Sequence, residues 1–224
     1  MTPTGRFPHR PYWTKQEMDD RCEGIIQDFL LDKHGEVVYP ISTDDVTVLV
    51  EQYAELDSVA DLSAEDTDDM EVQGETKFGS HPLVRIAAAL WEPSRENRLR
   101  TTLTHELGHV IFHSDLIVQR DPNQLSWFDR DRTEAIQCLR AGIIHSTQTD
   151  WFEWQAGYAS GSFLMPLTAL RKMVLPLVGE RRVSGRQGAM LVTTVARRFQ
   201  VSIEAAHVRL DQLGYLGGVS LFES

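Results

Sequence analysis

His105-Glu106-Leu107-Gly108-His109 constrains this chain more than any other stretch, because two imidazoles four residues apart are close neighbours on one face when the backbone is helical. At that spacing both rings reach a single ion. Glu106 is turned from His105 by about 100° around the helix and can hold the water that the ion activates. The donor set suits zinc, and the chemistry implied is metal-assisted hydrolysis. The flanking residues agree with a helix: 96–104 contain neither Pro nor Gly, and Leu99, Leu103, Leu107 and Val110 recur at helical spacing. Ser94 reads as its N-cap, and the helix is expected to run to about His113. The alternative at this point is a helix whose histidines only hydrogen-bond within a core.

A third protein ligand is needed, and the most attractive donor downstream is Glu153, in Asp150-Trp151-Phe152-Glu153-Trp154-Gln155-Ala156. It opens a segment rich in small residues, Ala156, Gly157, Ala159, Ser160 and Gly161, which lets two helices approach closely. A carboxylate entering such surroundings needs a partner, and a metal is one.

Arg100 to His109, Glu153-Trp154-Gln155-Ala156 and Phe163-Leu164-Met165-Pro166 together resemble the ImmA/IrrE family of bacterial zinc endopeptidases. That family carries a His-Glu-x-x-His helix, then Glu-x-Gln-Ala and a Leu-Met-Pro ending; the likeness spans roughly residues 35 to 215. Gly157 departs from it, standing where Asn usually follows the Ala. The resemblance implies that His105, His109 and Glu153 bind one Zn2+, with Mn2+ as an alternative in the cell, and that Glu106 is the general base. His113 and Tyr158 are candidates to steady the oxyanion, with packing as the alternative role for each. It also implies a substrate, a helix-turn-helix transcriptional repressor whose cleavage induces stress, DNA-damage, prophage or antiphage genes.

The segment from Lys77 to Leu90 suits a turn and a strand before the metal helix, either an ordinary core strand or one whose free edge holds an extended peptide. Cys138 lies between His109 and Glu153 in a long connection, 114–150, for which a lid, a sensor contact or an insert all fit. A thiolate there is either an inhibitory fourth ligand that keeps the enzyme latent or a small buried hydrophobe. The family likeness adds that some relatives carry Cys followed shortly by Arg in this loop, as in Cys138-Leu139-Arg140.

Thr14 to Glu17 has the pattern of a capping box, opening a helix to about Leu31 with Met18, Cys22, Ile25, Ile26 and Phe29 inward. Ser42 or Thr43 caps a second helix to about Tyr53. Residues 55–75 hold nine acids and no Lys or Arg, which reads as a solvated loop between strands, with substrate steering as the alternative. Near the other end, residues 191–210 read as helix, tight turn at Gln200 to Ser202, and second helix, an arrangement like a helix-turn-helix. From Arg171 onward eight basic and four acidic residues leave a net charge of +4, so with the chain at −11 the first 170 residues carry −15. Arg181, Arg182, Arg186, Arg197 and Arg198 are candidate contacts to a nucleic-acid backbone, including single-stranded DNA as an activator, and Arg209 and His207 are the only base-reading side chains on the second helix. The alternative is a helix pair that only buttresses the rest.

Two cysteines imply no disulfide framework, and the polar, Pro-broken opening residues are no signal segment, so a cytoplasmic address is expected. No run approaches the roughly eighteen apolar residues of a membrane span, and no membrane partner is expected. The fold expected is α+β and zincin-like: residues 1–175 as a metallopeptidase domain with a small sheet, a metal helix and a Glu-bearing helix, and 176–224 as the helix-turn-helix-like unit. The leading function is a zinc endopeptidase. Its rivals are a DNA-binding regulator or nucleic-acid sensor with a structural metal, and a toxin–antitoxin component acting by binding alone.

Overall fold

The structure is a computed structural model that describes residues 13–63, 71–79, 81–118, 134–139 and 151–217, with 116–118 and 134–139 as backbone only. The chain opens on α1 (Lys15–His34), which begins at the expected capping box: Thr14 accepts from Glu17 N–H while the Glu17 carboxylate accepts from Thr14 N–H. It runs three residues past Leu31 and ends where Gly35 turns left-handed, with φ of 76°. Ser42 caps α2 (Thr43–Tyr53) as expected, through Asp45 N–H.

Four strands follow in the order β1-β3-β2-β4: β1 (Glu55–Ala60), β2 (Val72–Phe78), β3 (Leu83–Ala87) and β4 (Glu134–Leu139). The β1/β3 pair is parallel, and β2 pairs antiparallel with both β3 and β4. This corrects the expectation of a free strand edge within 77–90. β3 is flanked on both sides and β2 is sealed by β4, which leaves β1 and β4 as the edges. The acid-rich span 55–75 is likewise not all loop, since β1 and the first half of β2 lie in it; its densest part, 65–69, lies outside the described residues. Glu75 is buried in β2 because Arg85 on β3 donates to it at 2.8 Å.

A 3-10 turn (Pro93–Arg95) containing Ser94 feeds α3 (Glu96–Val118), so this helix starts two residues after the expected cap and runs five past His113. Within the connection 114–150 only β4 and the end of α3 are described; the clusters Arg120–Asn123 and Asp129–Arg132 lie outside the described residues. The chain resumes with α4 (Trp151–Leu164), α5 (Leu167–Val178), α6 (Gly185–Phe199) and α7 (Ile203–Gln212). Between the last two, Gln200 adopts φ of 53° and Ser202 caps α7 through Ala205 N–H. This is the tight turn expected.

α3 packs on α4 through small residues. A Cβ added to Gly108 would lie 3.1 Å from the Cα and carbonyl oxygen of Ala156 and from the Cβ of Ala159, so glycine sets the interhelical distance. One apolar cluster runs through the whole assembly, from Met18 and Phe29 through Leu103, Leu107 and Phe163 to Val195, Phe199 and Leu210. The α+β, zincin-like arrangement is thus as expected, and no single helix among the described residues is long and apolar enough to cross a membrane.

Candidate metal centre

Helical spacing puts His105 and His109 one turn apart on the same side of α3, and both rings, with Glu106 and His113, are fully buried. Their Nε2 atoms lie 3.1 Å apart. Glu153, in the first turn of α4, reaches over them: Oε2 is 3.1 Å from His105 Nε2 and Oε1 is 3.3 Å from His109 Nε2. The three ligand atoms all lie within 4.8 Å of one another. Burial opposes the charge of Glu153, but the two imidazoles outweigh it and hold the carboxyl well below the usual range. Two nitrogen donors and one ionised oxygen donor aimed at a common point are the set a tetrahedral divalent cation takes with one position left open. The donor set fits the metal that the motif implies.

Glu106 faces the sheet. The Thr76 hydroxyl on β2 donates to Glu106 Oε2, while Glu106 Oε1 is buried without a hydrogen-bond partner among the described residues. A Cβ on Gly74 would stand 2.7 Å from Oε1 and 2.8 Å from Thr102 Cγ2, so the strand can pass this close only as glycine. Burial raises the pKa of Glu106; His109, His105 and the Thr76 hydroxyl offset part of the rise. Neither Thr76 nor Gly74 was legible as a site residue, although a glycine inside a strand is the ordinary sign of close backbone approach.

His113 and Tyr158 are placed differently from the expectation. His113 stands behind His109, its Nδ1 3.0 Å from His109 Nδ1 and its Nε2 3.0 Å from Gln155 Oε1. Burial pushes its pKa well below the ordinary imidazole value, which favours the uncharged ring. The Tyr158 hydroxyl donates to Asp19 Oδ2 at 2.8 Å, beneath the Arg209 guanidinium at 5.1 Å from the ring centre. The hydrogen bonds thus place one ring behind His109 and the other in a separate buried network.

That network also corrects the reading of α7. Arg209 is 1% exposed and pairs with Asp19, which further accepts from the Ser162 hydroxyl at 2.7 Å. A guanidinium buried in this way cannot read a base edge. Arg181, Arg182, Arg186, Arg197 and Arg198 are all exposed, and Arg198 donates to the Tyr39 carbonyl at 2.6 Å. Cys138 is described by backbone alone: it stands on β4 in register with Gly74, and its side chain lies outside the described residues.

A peptidase family model described as the IrrE N-terminal-like domain matches residues 60–211. No curated protein is similar enough to the chain to add a relative to that match. The matched span holds β2, the two histidines and Glu106 on α3, and Glu153 on α4, and it covers more than half of the 224 residues. The chain therefore belongs to the peptidase family of the IrrE N-terminal-like domain, and its core is a metallopeptidase-like domain.

Proposed function

We propose that the protein is a zinc-dependent endopeptidase that cuts a helix-turn-helix transcriptional repressor, with His105, His109 and Glu153 as ligands and Glu106 as general base. The observation that carries the reading is the convergence of the three donors on one point, beside a buried carboxylate with one oxygen held and the other without a partner. A structural metal gives no reason for that carboxylate.

Bound zinc supplies Lewis-acid activation of a water and of the scissile carbonyl. Glu106 takes the proton at Oε1, because Oε2 is occupied by Thr76, and burial suits the carboxylate to accept it. The same group returns the proton to the leaving nitrogen. The close pass of β2 over Glu106 keeps that side of the site dry. β4, paired with β2, is the edge nearest Glu106 to which an extended peptide can add. The net −15 carried by the first 170 residues favours the approach of a basic, DNA-binding substrate.

Latency is part of the proposal. The register of Cys138 with Gly74 puts this cysteine on the strand beside the one that touches Glu106, which supports a thiolate as an inhibitory fourth ligand. Single-stranded DNA on the exposed arginines of α6 and its approach is the activating partner. The deciding experiment incubates the zinc-loaded protein with the helix-turn-helix repressor encoded nearest its gene, with and without single-stranded DNA, beside Glu106→Gln. Cleavage by wild type alone supports the reading; an active Glu106→Gln refutes the base assignment. Cys138→Ser is expected to cleave without DNA, and unchanged activity would remove the latch.

A further inference from the structure

Two ring nitrogens that face each other 3.0 Å apart can hold one proton between them and no more, and this is how His109 Nδ1 meets His113 Nδ1. We infer that His113 and Gln155 act as a relay that fixes His109 in the tautomer able to bind a metal; the inference rests on the metal reading above. His109 Nε2 points at His105 Nε2 and Glu153 Oε1. To offer its lone pair there, a neutral ring must carry its proton on Nδ1 and donate it to His113 Nδ1. His113 must then carry its own proton on Nε2, which lies 3.0 Å from Gln155 Oε1. An amide oxygen only accepts, so the Gln155 end sets the direction of both bonds. In the opposite direction the lone pair of His113 Nε2 would face that oxygen, and the proton would sit on His109 Nε2, where the ion belongs.

The rings are also clamped against rotation. Phe152 stacks on His113 at 3.8 Å and on His109 at 4.8 Å, and the Trp151 edge closes His113 from another side at 5.7 Å. The first turn and a half of α4 thus supplies the third ligand, the plate that fixes the two rings, and the acceptor that orients their protons. His105 lacks such support: its Nδ1 makes no hydrogen bond among the described residues. The fixed ligand is His109, and partners behind a metal-bound imidazole typically contribute about 10–100-fold to metal affinity.

The test has two arms. In the zinc-loaded wild type, long-range 1H–15N correlation of the imidazoles is expected to show His109 metal-bound at Nε2 and His113 neutral with its proton on Nε2; a proton on His113 Nδ1 overturns the relay. Zinc affinity, read by competition with a chromophoric chelator, is expected to fall about 10–100-fold in His113→Phe, about tenfold in Gln155→Leu, and less than about threefold in Gln155→Glu, which keeps the acceptor. Wild-type affinity in both His113→Phe and Gln155→Leu overturns the relay alone. A wild type that binds no zinc overturns the metal reading and the relay with it.

Discussion

The Thr76 hydroxyl donates to Glu106 Oε2 across 30 residues of sequence, tying an inner strand of the sheet to the carboxylate next to His105, the first histidine of the candidate metal centre. Thr76→Val removes a hydrogen bond to a charged group, a loss of about 1.5–3 kcal/mol, so kcat is expected to fall roughly 10–100-fold with zinc content unchanged. Thr76→Ser restores most of it. Burial raises the pKa of Glu106 and the Thr76 hydroxyl lowers it, and a base works only when deprotonated, so this bond shifts where activity is lost on acidification. Losing the Thr76 bond, which lowers that pKa, moves the acid limb higher. An unmoved limb in Thr76→Val counts against Glu106 as the titrating base.

Gly108→Ala puts a methyl group against the backbone of Ala156 at 3.1 Å and so pushes α4 away from α3. Glu153 rides on α4. The expected outcome is weaker zinc binding together with a stability loss of about 1–3 kcal/mol, read by metal titration and by thermal melting of the metal-free protein. Ala159→Gly in the same chain, which removes the one side-chain atom that the new methyl meets, is expected to recover part of the affinity.

Asp45, in the first turn of α2, is expected to contribute to acid stability. Burial opposes its charge, but Lys33 at 2.8 Å, the Ser42 hydroxyl at 2.7 Å and His34 at 3.0 Å prevail and lower its pKa to about 2. A depressed folded value means stabilisation that is complete above the unfolded value near 3.8 and lost as the pH falls through about 2. Asp45→Asn should cost on the order of 1–2 kcal/mol at neutral pH after allowance for the half-exposed Lys33, and the gap to wild type should close between about pH 4 and pH 2 in urea melts.

Arg209→Met leaves Asp19 charged and buried, so a loss of about 3–5 kcal/mol is expected by chemical denaturation. Pairing it with Asp19→Leu removes both charges, and part of the loss should return, the Tyr158 and Ser162 hydroxyls having lost their acceptor. Neither change is expected to alter the salt dependence of any DNA binding, since Arg209 does not face solvent.

The candidate metal site was legible because its parts are local. His105, Glu106 and His109 are set by helical spacing, and Glu153 is marked by the motif around it. What escaped the sequence is what distant segments do to one another. Val72 to Glu75 fall in the acid-rich stretch that reads as a solvated loop between strands, yet they belong to a buried strand: Arg85 satisfies Glu75, and Glu106 takes the hydroxyl of the neighbouring Thr76. Arg209 counts as a surface cation in any tally of charge; its partner lies 190 residues earlier. Tyr158 drew notice as a phenol near the motif, but the same Asp19 holds it.

The Asp19–Arg209 pair also sets the smallest piece of this chain that can stand alone. The span matched by the family model begins at residue 60 and includes Arg209 but not Asp19, which sits on α1. A fragment cut to that span would carry a guanidinium in its apolar interior with its counter-charge deleted, beside a Tyr158 hydroxyl and a Ser162 hydroxyl that have lost the same acceptor. As a folding unit the peptidase therefore starts no later than α1, well upstream of where that match begins.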